Sequence, residues 1–174
     1  MLAVAHAGRG VPEYRFMKIA VGCDHRGYEA KRRLLASLQK LGHELVDVGC
    51  DGSGPVDYPD YAIPVARGVA DGTYDIGILL DGSGIGMSVA ATKIRGIRAA
   101  LSHDQITARR AREHHACNVL CLGTDLLSEE QVKQIAETFL TTGYLGGRHD
   151  RRVQKVMGLD AEGRDPAPVD LKGV

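Results

Sequence analysis

Three observations predict an α/β fold built on a parallel, doubly wound sheet. From Met17 onward, short apolar runs rich in β-branched residues alternate with stretches of helical periodicity. The third run, residues 76–80, shows no polar alternation, as expected of a strand covered on both faces. Glycine supplies 22 of 174 residues without a collagen-like period, well above the usual share of about 7%, so the excess belongs at turns and close backbone approaches. A chain of this length buries around two-thirds of its unfolded surface in one core, which favours a single domain.

The elements follow in order. Residues 17–22 read as the first strand, and residues 28–41 as an amphipathic helix whose Ala30, Leu34, Leu35, Leu38 and Leu41 share a face before Gly42 ends it. Residues 44–49 form the second strand. A turn at Asp57-Tyr58-Pro59 leads into a helix over 61–71, and residues 76–80 are the third strand. After Asp81-Gly82-Ser83-Gly84-Ile85-Gly86 comes a helix of small residues to about 93, then a strand near 98–101. A helix over 106–114, a strand over 119–122 and a helix over 128–140 follow. Ser128 is the N-cap of that helix, with Gln131 completing a capping box. A last helix covers about 148–157. Residues 1–16 read as a flexible extension with Met17 an alternative start, 17–157 as the domain, and 158–174 as an irregular tail. Right-handed crossovers then give a doubly wound, three-layer α/β/α sandwich with a five-stranded parallel sheet.

Composition excludes several classes. The 22 basic and 22 acidic residues balance, which argues against nucleic acid or an anionic membrane as partner. Charges or glycines interrupt every apolar stretch before the roughly 20 residues of a membrane span. Arg9, Glu13 and Arg15 break any signal-peptide core. Cys23, Cys50, Cys117 and Cys121 lack zinc-site spacing and are too sparse for a disulfide framework, so reduced thiols in the cytoplasm are expected. No His-x-x-x-His or Cys/His ligand spacing occurs, and no metal is expected.

In doubly wound sheets, ligands bind outside the carboxyl ends of the strands. Three strand ends here carry reactive residues: Cys23-Asp24-His25, Asp81 with its glycine loop, and Gly123-Thr124-Asp125. Alternating Gly82, Gly84 and Gly86 let successive backbone amides and a helix N-terminus point at one anion, although a tight βα turn uses the same glycines. A nucleotide fingerprint fits poorly, because the loop follows the third strand instead of the first. An acid at the mouth of an apolar strand is costly to bury, and desolvation would move Asp81 towards the range of a general base. Asp24-His25 forms either an Asx turn or part of the site. His114-His115 suits a helix C-terminus as well as chemistry. Arg148 and Arg152, four apart, make either an anion clamp or a solvated basic face.

Taken together, the motifs resemble ribose-5-phosphate isomerase B and its relatives, including the galactose-6-phosphate isomerase subunits. The resemblance rests on Gly22-Cys23-Asp24-His25-Arg26-Gly27, Asp57-Tyr58-Pro59, Gly82-Ser83-Gly84-Ile85-Gly86 and Ala91-Thr92-Lys93-Ile94-Arg95-Gly96-Ile97-Arg98-Ala99. It rests also on His114 with Asn118-Val119-Leu120, and on Gly146-Gly147-Arg148-His149 followed by Arg152. It implies a Rossmann-like three-layer α/β/α sandwich and an aldose–ketose isomerase of a phosphorylated sugar that uses neither metal nor cofactor. It also implies a dimer or tetramer with active sites shared between subunits. By motif, Asp24 and His114 would open the sugar ring, the amides of Gly82, Gly84 and Gly86 would hold the enediolate, and Ser83 would bond the reacting oxygens. Tyr58 would contact the sugar, His25, Arg148 and Arg152 would hold the phosphate, and Asn118 would brace its loop.

Four positions depart from the family pattern. Asp81 stands where many members have a cysteine base, Met87 where others place a glutamate after the loop, His115 where the usual pair has an asparagine, and Asp125 where an arginine is often found. Asp81 is therefore expected to serve as the base, and His115 and Asp125 as substrate contacts, with Asp125 bonding sugar hydroxyls. Ribose 5-phosphate is the expected substrate. A tetrose, a hexose or an unphosphorylated sugar, or a silent sugar-phosphate-binding role, are the alternatives.

Overall fold

A computed structural model describes residues 16–161; residues 1–15 of the expected extension and 162–174 of the expected tail lie outside the described residues. The elements are β1 (Lys18–Cys23), α1 (Tyr28–Leu38) with a 3-10 turn at Gln39–Leu41, β2 (Glu44–Asp47), α2 (Pro59–Ala70) and β3 (Ile76–Asp81). Next come α3 (Ile85–Thr92), β4 (Ala99–Leu101), α4 (Gln105–His115) and β5 (Val119–Gly123). The chain continues through α5 (Glu129–Thr141), a 3-10 turn at Gly147–His149, and α6 (Asp150–Gly158). All five strands are parallel in the order β2-β1-β3-β5-β4. The chain winds outward to β2, crosses back over β1, and continues on the other side, the doubly wound pattern the alternation predicts.

Alternate strand residues divide between two apolar layers because successive side chains point to opposite faces. Ile19, Val21, Ile78, Leu80, Leu120 and Leu122 pack under α1, α4 and α5 with Leu34, Ala108, Ile135 and Phe139. Ala20, Leu79, Val119 and Cys121 pack under α2 and α3 with Val65, Val69, Met87 and Ala91. The central strand β3 is buried throughout, whereas the edge strand β4 is only half-buried.

Local chemistry sets the boundaries. Gly42 at φ 73 closes the turn after α1, and Ser128 and Gln131 form the expected capping box on α5. The start of α2 lies earlier than the hydrophobic pattern suggests, because Pro59 takes the first helical position, where its fixed φ fits and its missing N–H costs nothing. The start of α4 carries a second capping box, Asp104 with Thr107, which the hydrophobic pattern does not reveal. Formal β2 stops at Asp47, yet Val48 and Cys50 still donate to Val21 and Cys23, so the β1 edge is paired to its end.

The strand ends are drawn together by bare backbone. A Cβ on Gly27 would stand 2.5 Å from the Leu80 carbonyl oxygen, and one on Gly123 would stand 2.5 Å from that of Ser83. Because backbone cannot step aside as a side chain can, Gly123→Ala is expected to lower stability by about 1–3 kcal/mol. Gly52→Ala, where a Cβ meets nothing, should stay within about 0.5 kcal/mol of wild type. Urea titration of both variants checks the contrast.

Candidate active site

At the end of β1, Asp24 is 7% exposed and its Oδ1 accepts the amides of Arg26 at 2.8 Å and Gly27 at 3.1 Å. This is the Asx-turn alternative realised, and it launches α1. Among the described residues its Oδ2 has no hydrogen-bond partner. The neighbouring His25 accepts the Val56 amide at Nδ1, 3.3 Å away. A neutral ring in that bond carries its proton on Nε2 and offers it as a donor.

At the end of β3, Asp81 is 5% exposed. Its Oδ1 accepts the Gly84 amide and its Oδ2 the Met87 amide at 3.3 Å. Burial raises the Asp81 pKa, the amides of Gly84, Met87 and Ser83 oppose that rise, and nearby Asp24 adds to it; the net direction is upward. Gly84 adopts φ 77, a left-handed conformation suited to glycine, as it caps α3. The Ser83 hydroxyl accepts the Ile85 amide at 3.2 Å. The loop amides thus converge on an anion as the glycines suggest, and that anion is the Asp81 carboxylate itself. Tyr58, at the N-cap of α2, lies over the same point: its ring and Asp81 Oδ2 both come within 3.1 Å of where a Gly86 Cβ would stand.

At the end of β5, Thr124 fastens the other two strand ends. Its amide donates to the Asp81 carbonyl at 2.8 Å. Its hydroxyl lies 3.0 Å from that same oxygen and 3.1 Å from the Arg26 carbonyl. The next residue, Asp125, accepts Arg26 Nη2 at 2.6 Å. The sequence reading placed the Asp125 carboxylate on sugar hydroxyls; in the fold Oδ2 holds a guanidinium. Sequence reasoning missed Arg26 as a member of this site. Its one signal was a charged residue inside the Asx turn.

The remaining candidates lie elsewhere. Helix α4 begins at the carboxyl edge of the sheet and runs back against the strands, so His114 and His115 sit by the start of β5. That places them roughly 15 Å of strand away from Gly123. There the His114 ring stacks on His149 at 4.4 Å, with the planes 7° apart, and His115 meets His114 edge-on at 6.1 Å. Burial lowers the His149 pKa, and the nearby His114, Arg148, Arg152 and His115 push the same way. His149 is a further member that sequence reasoning quoted only within a motif. Arg148 and Arg152 are exposed around it. Arg98 ties α6 to this edge through Met157 Sδ at 3.0 Å and the Ala116 carbonyl at 2.9 Å. Asn118 braces the turn as expected, accepting from the Arg98 amide and donating to the Gly96 carbonyl.

One chain therefore gathers Asp24, His25, Tyr58, Asp81, Ser83 and Asp125 at the carboxyl edge, and His114, His115, Arg148 and Arg152 at the amino edge. Among the described residues no group of three His, Cys, Asp or Glu side chains is placed to hold a metal ion, and no helix is long and apolar enough to cross a membrane.

Comparison with known proteins places this arrangement in a family. The sequence profile described as Ribose/Galactose Isomerase matches residues 19–156. The chain is 41% identical to ribose-5-phosphate isomerase B of Escherichia coli over 143 residues, covering 82% of this chain and 96% of that one. It is similar to the structure of ribose-5-phosphate isomerase B from Clostridium thermocellum, with a TM-score of 0.82 and 41% identity, over 84% of this chain and 99% of the other. The Mycoplasma genitalium ribose-5-phosphate isomerase B structure, which has ribulose-5-phosphate bound, matches with a TM-score of 0.81 at 35% identity, over 84% and 97% of the two chains. With its sheet order, strand-end chemistry and near-complete coverage of these relatives, the chain belongs to the ribose/galactose isomerase family.

Proposed function

We propose that this chain is an aldose–ketose isomerase that interconverts ribose 5-phosphate and ribulose 5-phosphate through an enediolate, with Asp81 as the base. The observation that carries the assignment is the buried Asp81 carboxylate at the glycine loop, its pKa raised by burial. A carboxylate with increased proton affinity is suited to take the C2 proton and return it at C1. Negative charge then develops on the sugar oxygens, which the loop amides at the N-terminus of α3 receive by exchanging their bonds to Asp81 for bonds to the sugar, with the Ser83 hydroxyl beside them. Asp24 Oδ2 takes the proton of the anomeric hydroxyl as the bond from C1 to the ring oxygen breaks, the ring oxygen takes a proton from His114, and the Tyr58 ring covers the sugar.

His114, His115, Arg148 and Arg152 reach such a site only from a second copy. A homodimer, or a tetramer of such dimers, would complete each carboxyl-edge half with the partner's amino-edge half. The exposed Ile85 (56%) and Val89 (53%) on α3, next to the glycine loop, support a seat there for the second copy. In that assembly Arg148, Arg152 and the Nε2–H of His25 grip the phosphate while His114 assists ring opening. Four free, buried thiols suit a cytoplasmic setting.

Asp81→Asn should lower kcat on ribose 5-phosphate by about 10²–10⁴-fold, with the melting transition retained. Wild-type turnover in that variant overturns the base assignment. Because the base works ionised, activity falls as pH drops through the raised Asp81 value, so the acid limb of the pH–rate profile is displaced upward from that of an ordinary aspartate. Shared sites are checked by mixing subunits: Asp81→Asn and His114→Ala chains, each inactive alone, should recover about a quarter of wild-type activity after random reassociation, because half the dimers then hold one intact site. No recovery would mean that each chain completes its own site.

A further inference from the structure

The Arg26–Asp125 pair is not needed to hold the fold, since an exposed ion pair of this kind contributes little to stability. What it does is aim a guanidinium. The Arg26 backbone is fixed at both ends, its amide by Asp24 Oδ1 and its carbonyl by the Thr124 hydroxyl. Asp125 then takes one guanidinium nitrogen at 2.6 Å and lays the group across the start of the glycine loop. Asp125 Oδ2 lies 2.7 Å, and Arg26 Nε 3.3 Å, from where a Cβ on Gly82 would stand. Nε and Nη1 have no hydrogen-bond partner among the described residues, and the side chain is half exposed. Spare donors in a rigid fork, laid over Gly82, the residue after Asp81, suit an oxyanion of the bound sugar.

We propose that Arg26 is a ligand for the phosphate group of the substrate and that Asp125 is the positioning residue that aims it, so that the pair sets the preference for phosphorylated sugars. This rests on the isomerase reading for the identity of the sugar. The test is isothermal titration of inorganic phosphate and of ribose 5-phosphate into the full chain. Arg26→Gln, which keeps most of the stem, should weaken both by about tenfold. Placing the guanidinium on the other side of the contact, Arg26→Gln with Asp125→Arg, should restore affinity to within about threefold of wild type, a recovery that a merely structural role would not give. Unchanged phosphate affinity in Arg26→Gln, no phosphate binding by wild type, or no recovery in the double variant would each overturn the proposal. Titration reads binding without turnover. Ribose 5-phosphate that binds but shows no exchange at C1 or C2 therefore sinks the isomerase reading and leaves this one standing.

Discussion

The close backbone approach of β1, β3 and β5 at their carboxyl ends is the constraint on which the site depends. Gly27 passes the Leu80 carbonyl and Gly123 passes the Ser83 carbonyl with no room for a side chain. The Thr124 amide and hydroxyl close the remaining gap to Asp81 and Arg26. Paired central strands deliver this geometry: Cys23 is opposite Leu80 and Asp81 opposite Gly123, so three loops leave the sheet at one level. A side chain at Gly27 would push the loop after β1 off the end of β3, and one at Gly123 would push the glycine loop off β5.

Asp81 illustrates which of two opposing effects prevails. Removing a carboxylate from water favours its protonated form, while amides and a helix N-terminus favour the ionised one. Here burial is the larger effect and the bonds from Gly84 and Met87 offset only part of it. The amides keep the buried group hydrogen-bonded, as a polar group in that position must be, and burial leaves it a stronger base than a surface aspartate.

Much of this was legible in the sequence for physical reasons. Hydrophobic period and glycine punctuation encode local structure, so the strands, the Ser128 capping box and the three reactive strand ends could be read directly. The α4 cap was written in Asp104 and Thr107, a pairing outside the usual Ser/Thr with Glu/Gln pattern. Pairing across the fold was less legible. Arg26 and Asp125 lie 99 residues apart, and nothing in the spacing of either announces the other. The separation of His114 and Arg148 from Asp81 was also hidden, because motifs in one chain do not say which edge of the sheet each will reach. The contact between His114 and His149 likewise arises only when α6 folds back along the amino edge.

The carboxylate that fills the loop has one more consequence. Asp81 is the glycine loop's own resident anion, a placeholder in the cradle that the proposed enediolate would need. A sugar oxygen that takes over the Gly84 amide removes a bond that had been stabilising ionised Asp81, and the proton affinity of the carboxylate then rises further. For the base proposed above, ligand arrival would thus be an arming step, because the amides that quiet the carboxylate are the ones a sugar oxygen would claim.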